Sequence, residues 1–142
     1  MPETADIDAA DLDPEDSKIV ILARSALART GAGEGAAVRD TDGRTYTGCP
    51  VSLPSLVLTA LQAAVAAAVA SGASGLEAAA VVSGSAAVDD ASLAAVRDLG
   101  PGAPVLLADQ RGELRAVLHP EKLGPENLGP GELHPEELGP VG

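Results

Sequence analysis

Leu56-Val57-Leu58-Thr59-Ala60-Leu61-Gln62-Ala63-Ala64-Val65-Ala66-Ala67-Ala68-Val69-Ala70-Ser71-Gly72 is the stretch on which the architecture turns. It reads as one helix, apolar on every face and closed by Gly72, a natural C-terminal stop. A helix that is apolar all round is buried, so the elements on either side of it must supply its cover. It is too short and too rich in Ala for a membrane span, which needs roughly 20 apolar residues.

Upstream, Asp13 reads as an N-cap, Pro14 as the first helical residue, and Glu15 and Asp16 as first-turn acids. Ile19, Leu22, Ala23, Ala26 and Leu27 follow at helical spacing, and Thr30-Gly31-Ala32-Gly33 ends this helix. Gly35–Asp40 and Arg44–Cys49 read as two strands joined by Thr41-Asp42-Gly43, a hairpin signal in which Asp and Gly both take positive φ. Pro50 and Pro54 break the pattern before the central helix.

Downstream, Leu76–Val82 is a short apolar run that fits a buried strand. Asp89 or Asp90 caps a helix over Ala91–Leu99, closed by Gly100-Pro101-Gly102. Pro104–Ala108 and Glu113–Leu118 read as two strands flanking Asp109-Gln110-Arg111-Gly112. Strands alternating with helices predict an α/β layered domain.

The 142 residues suit one domain with a single core. The net charge of −12 is unevenly placed. Seven acids and no base occupy residues 1–16, and five acids with only Lys122 occupy residues 119–142, which leaves nine acids and eight bases between them. Acidic ends repel phosphate, so no nucleic-acid partner is expected. There is no Phe or Trp and one Tyr. Small side chains bury little area each, and self-association would add to it, so an oligomer is expected. GC-rich coding alone would also favour Ala, Gly, Pro and Val. Cys49 is the single cysteine, which excludes an intrachain disulfide and suits a reducing compartment. With no cationic and apolar leader at the start, a soluble cytoplasmic protein with no membrane partner is the expectation.

Residues 1–12 read as a disordered acidic N-terminus, 13–118 as the folded domain, and 119–142 as a repeat tail. In the tail, Leu118-His119-Pro120, Leu123-Gly124-Pro125, Leu128-Gly129-Pro130, Leu133-His134-Pro135 and Leu138-Gly139-Pro140 recur every five residues. That period fits neither helix nor strand. A docked chain of extended and turn units, or a disordered acidic tail, are both compatible with it.

The order of these elements and several local strings resemble the cytidine deaminase family. Gly35-Ala36-Ala37-Val38 through Asp42-Gly43-Arg44-Thr45-Tyr46-Thr47-Gly48-Cys49 is similar to its first hairpin, and Ala68-Val69-Ala70-Ser71-Gly72 to the end of its central helix. Gly100-Pro101 with Pro104-Val105-Leu106-Leu107 is similar to its later loop and strand, and Leu118-His119-Pro120-Glu121-Lys122-Leu123-Gly124-Pro125 resembles its terminal motif. The resemblance implies a three-layer α/β/α fold with a five-stranded mixed sheet, and a homo-oligomer, either a homodimer or a homotetramer.

It also implies a zinc site. A Cys or His and a Glu two residues later stand at the start of the central helix, and Pro-Cys-x-x-Cys opens the next. Zinc acidifies its bound water and the Glu shuttles the proton. Here Thr59 and Leu61 fall at the first pair, or Leu61 and Ala63 in the ungapped register; Asp89 and Ser92 fall at the two Cys. Pro50 and Ser52 replace the family's sugar-binding Asn-x-Glu, Ala32 its early Phe and Leu123 its terminal Phe. The expectation is therefore no catalytic residue, no metal ligand and no cofactor, in a pseudoenzyme that works as a non-catalytic binding or scaffolding homo-oligomer.

Two alternatives stay open. One is an enzyme of another class that reuses the cleft for a small molecule, lined by Thr59, Gln62, Asp89 and Ser92; the other is a remnant cytidine deaminase. A small molecule or another protein is the remaining partner class. Cys49 has no His or cation beside it in sequence and reads as a small core residue. His119 and His134 are too few to hold a metal. Asp89, Asp90, Asp98 and Asp109 read as caps and turns rather than a carboxylate pair.

Overall fold

The computed structural model describes residues 12–122. Helix α1 (Pro14–Thr30) starts as the sequence predicts: Asp13 Oδ1 accepts from the Glu15 amide at 2.8 Å, Pro14 opens the helix, and Gly31 at φ +70° closes it. The strands are β1 (Glu34–Asp40), β2 (Thr45–Gly48), β3 (Val51–Leu53), β4 (Leu56–Leu58), β5 (Leu76–Ser83), β6 (Val105–Ala108) and β7 (Leu114–Leu118); helices α2 (Ala60–Ala70) and α3 (Asp90–Leu99) complete the order. A 3₁₀ turn at Pro120–Lys122 follows β7.

The main sheet runs β2-β1-β5-β6-β7. Only β5 and β6 are parallel, with α3 in their crossover; the other pairs are antiparallel. Alternation along the central strands splits the core in two. Ala36, Val38, Ala79, Val81, Val105 and Leu107 face α2 and α3. Ala37, Ala80, Val82, Leu106 and Ala108 face Ile19, Val20 and Ala23 of α1. This is the three-layer α/β/α arrangement with a five-stranded mixed sheet that the resemblance implies.

Without Phe or Trp to fill space, the layers approach closely, and glycines mark the contact points. A Cβ on Gly35 would collide with Ala23 O and Leu27 N of α1, and one on Gly48 with Ala60 O and Ala64 N of α2. Arg39 of β1 ties α1 to β5, its guanidinium 3.0 Å from Asp16 and 2.9 Å from Glu77.

Two expectations are corrected. The apolar stretch is not one helix. Leu56–Leu58 pair with Val51–Leu53 as a separate two-stranded ribbon, and the helix spans Ala60–Ala70. Pro54 causes the difference: Pro54-Ser55 form the two-residue turn between partners Leu53 and Leu56, where the fixed φ of proline suits the first central position. The helix is not buried all round either, since Val69 is 54% exposed.

The first hairpin also closes differently. Gly43 alone has positive φ, at +87°. Asp40 Oδ1 accepts from the Asp42 and Arg44 amides, each at 2.9 Å, and the loop returns through Asp40 N to Arg44 O. The β6–β7 loop repeats this device. Asp109 Oδ1 accepts from the Arg111 and Glu113 amides, and Gly112 has φ +89°. Both are three-residue loops whose third position is a left-handed glycine, which is why Asp42 keeps an ordinary φ.

Among the described residues no helix is long and apolar enough to cross a membrane. The acidic N-terminal residues 1–11 and the repeat after Lys122, His134 included, lie outside the described residues.

Candidate functional site

The site expected from the resemblance lies where the amino ends of α2 and α3 meet, on one face of the sheet. Thr59 caps α2 in extended geometry (φ −74°, ψ 165°). Its Oγ1 accepts from the Gln62 amide at 3.0 Å, and Gln62 Oε1 accepts from the Thr59 amide at 2.9 Å. This reciprocal capping box is legible in the sequence as Thr59-x-x-Gln62 and was not predicted. It sets the first helical residue at Ala60.

Asp89 caps α3 through its backbone oxygen, which accepts from the Ser92 and Leu93 amides. Its carboxylate is exposed and makes no cap bond. Ser92, by contrast, is 4% exposed, and its hydroxyl donates to Thr59 Oγ1 at 2.7 Å. The bond joins the first turns of the two helices across a partly buried gap.

The residue that the sequence analysis missed is Glu34. No acid lies in the first turn of α2. Glu34 supplies one from β1, its Oε2 accepting from the Ala60 amide at 3.0 Å. A carboxylate at a helix N-terminus meets unpaired amides and the positive end of the dipole. The only hint in sequence is an acid between Gly33 and Gly35, and nothing local says which helix it will reach.

Of the residues expected to line the cleft, the structure therefore brings together Thr59, Gln62 and Ser92, adds Glu34, and leaves the Asp89 side chain outward. Leu61 is 1% exposed in the core and Ala63 is half-buried, so neither register offers a donor inside the helix.

These groups do not fit a zinc ion. Both lone pairs of the Thr59 hydroxyl are engaged, one by the Gln62 amide and one by Ser92. Neutral hydroxyls are weak ligands beside the thiolate, imidazole and carboxylate donors that zinc takes. Among the described residues no three His, Cys, Asp or Glu side chains come together in a cation-binding group. His119 follows β7 at the amino end of β6, the opposite end of the sheet. Cys49 is half-buried, its Sγ 3.4 Å from Ala26 O and 3.5 Å from Thr30 Oγ1, away from both helix ends. With a carboxylate committed to a backbone amide and two hydroxyls committed to each other, the site has hydrogen-bonding capacity but no activated nucleophile.

The one tyrosine sits elsewhere. Tyr46 donates to Asp40 Oδ2 at 2.8 Å, outside the helix-end site. Burial pushes the Asp40 carboxyl up, but this hydrogen bond and the amides of Arg44 and Asp42 together outweigh it and hold it below its ordinary 3.8. The same bond, with burial and the Asp40 charge, raises the Tyr46 phenol above 10.0.

Comparison with known proteins gives a consistent result. The cytidine deaminase-like family matches over residues 12–112. Among solved structures, cytidine deaminase from Burkholderia pseudomallei is similar at TM-score 0.66 and 26% identity, over 75% of this chain and 93% of that one. Cytidine deaminase from Mycobacterium tuberculosis is similar at TM-score 0.61 and 26% identity, over 84% of this chain and 100% of that one. The Mycobacterium leprae enzyme, at 23% identity and TM-score 0.63 over 81% and 99%, shares the fold. No curated protein matches the sequence. With the α/β/α layers, the helix-end site and a family match over most of the described residues, the chain belongs to the cytidine deaminase-like family.

Proposed function

We propose that this chain is a zinc-independent member of its family that does not deaminate cytidine and works as a non-catalytic binding or scaffolding homo-oligomer. The observation that carries the reading is the 2.7 Å bond between the Ser92 and Thr59 hydroxyls. In the register counted back from Gly72, those two positions fall where the resemblance puts metal ligands. Here they satisfy each other and tie α2 to α3 directly. Glu34 neutralises the helix end with a carboxylate already bonded to the Ala60 amide.

The homo-oligomer rests on a different feature. The β3–β4 ribbon exposes the register partners Leu53 (56%) and Leu56 (48%) on one face and Val57 (73%) on the other. Large apolar side chains exposed on both faces of a short ribbon would be covered by a second copy of the chain.

The test is a metal analysis of the purified full chain together with an absorbance assay for conversion of cytidine to uridine. No stoichiometric zinc and no conversion are expected. One zinc per chain with turnover would overturn the reading and leave the remnant deaminase in its place.

A further inference from the structure

The carboxyl ends of β5 and β6 open on a groove of about 530 Å³ that the helix-end site does not use. It is lined by Ser83, Ser85, Asp109, Arg111, Glu113 and Arg115. Ligands of open α/β sheets bind outside the carboxyl ends of parallel strands, and β5 and β6 are the parallel pair.

The charge of this groove differs from that of the whole chain. Arg111 and Arg115 line it, and Arg24 of α1 stands beside the same loop, its Cδ 3.4 Å from where a Cβ on Gly112 would be. Three of the nine bases of an acidic protein thus gather at one hairpin.

The acid between them is already committed. Asp109 accepts from the Arg111 and Glu113 amides and pairs with Arg115 at 3.5 Å. The Glu113 amide most strongly, with that of Arg111 and the Arg115 charge, holds its carboxyl below the ordinary 3.8 against the push of burial. The Arg111 side chain is exposed and has no ion pair among the described residues. Arg115 is 59% exposed, with donors left over from its single contact to Asp109. Glu113 is the one acid there without such compensation.

Ser83 adds a neutral donor. It is 6% exposed, and its Oγ accepts from the Ser85 amide at 3.0 Å. Its own hydroxyl proton has no acceptor among the described residues. A buried donor left unpaired costs free energy unless something accepts from it.

We propose that this groove binds a phosphoryl group, with Arg111 and Arg115 as charged donors and Ser83 as the buried neutral one. Guanidinium forks match phosphate oxygens, and such charge-assisted bonds are the strong ones. The source is free phosphate or a phosphomonoester. Ser83 is also the register partner of Glu34, so a bound phosphoryl group would sit along the edge of the helix-end site. The inference does not depend on whether that site holds zinc.

The test is a titration of the ¹⁵N-labelled full chain with inorganic phosphate, adenosine 5′-monophosphate and adenosine, read at the amides of Ser83, Gly84 and Asp109 to Arg115. Saturable shifts with inorganic phosphate identify free phosphate as sufficient; shifts with the monophosphate alone identify a phosphomonoester. Arg111→Gln should weaken binding about tenfold, the value of one charge-assisted bond, and leave the melting temperature unchanged. Arg24→Gln gives a milder weakening without touching the Asp109 contacts. Absence of saturable shifts with both phosphate probes, an equal response to adenosine, or unchanged affinity in Arg111→Gln would overturn the proposal.

Discussion

The Ser92 hydroxyl lies 2.7 Å from that of Thr59, and this contact joins the amino ends of α3 and α2. It has an energetic signature. Thr59→Ala removes a cap as well as this bond and should cost about 1–2 kcal/mol; Ser92→Ala should cost about 1 kcal/mol. In the double variant the losses should fall short of additive by about 0.5 kcal/mol or more, read by urea unfolding. Strict additivity would mean that the two hydroxyls are not coupled.

Rebuilding the family's ligand set should change the metal content. Thr59→Cys, Asp89→Cys and Ser92→Cys together place three thiols at the two helix ends, enough for a zinc site with an open position. The triple variant should purify with zinc and gain thermal stability from it, while the parent chain holds none. Zinc content equal in the two proteins would show that the helix ends do not converge as described.

The Asp40–Tyr46 pair gives an optical handle. Tyr46 is the single tyrosine, and the chain has no Trp, so phenolate absorbance reports on it alone. Its titration midpoint should lie above 10.0, because the Asp40 bond and burial favour the neutral phenol. Asp40→Asn should bring the midpoint down.

The same pair sets an acid limit. The folded-state value of Asp40 lies below 3.8, so the group binds fewer protons in the folded state than in the unfolded one. Its stabilising contribution is complete above the unfolded value and is lost as pH falls through the folded one. Unfolding curves below about pH 4 should be steeper for the parent than for Asp40→Asn. Parallel curves would remove Asp40 from the account.

Close packing at the glycines predicts severe losses. Gly48→Ala drives a methyl into the backbone of α2, and Gly35→Ala into that of α1. Backbone cannot yield as a flexible side chain does, so each should cost about 3 kcal/mol or more. Gly33→Ala meets nothing within 4 Å and serves as the control.

Charging the ribbon should change mass in solution. Leu53→Lys with Val57→Glu adds one charge to each face of the ribbon without touching the core. Light scattering should show a shift toward monomer. A parent that is already monomeric, or a variant with unchanged mass, would remove the ribbon from the interface.

Local chemistry written into neighbouring residues is legible in the sequence alone. Asp13-Pro14 starts α1, Gly31 ends it, and the order of the remaining elements follows from period and punctuation. The same holds for the residue types at the helix ends: Thr59, Leu61 and Ser92 carry no thiolate, imidazole or carboxylate, and that is legible without the fold. The ribbon at Pro54 was not legible, because Leu56–Leu58 are equally apolar as helix or strand and only pairing with Val51–Leu53 decides between them. Nor were the Ser92–Thr59 bond, the reach of Glu34 from β1 to α2, and the gathering of Arg24, Arg111 and Arg115 around one loop. These contacts join residues far apart in the chain, and their partners are set by which helix lies over which strand. Sequence thus determined most of the elements and the residue types at the two helix ends; tertiary packing decided how those residues pair, since a hydrogen bond depends on positions that only the assembled layers define.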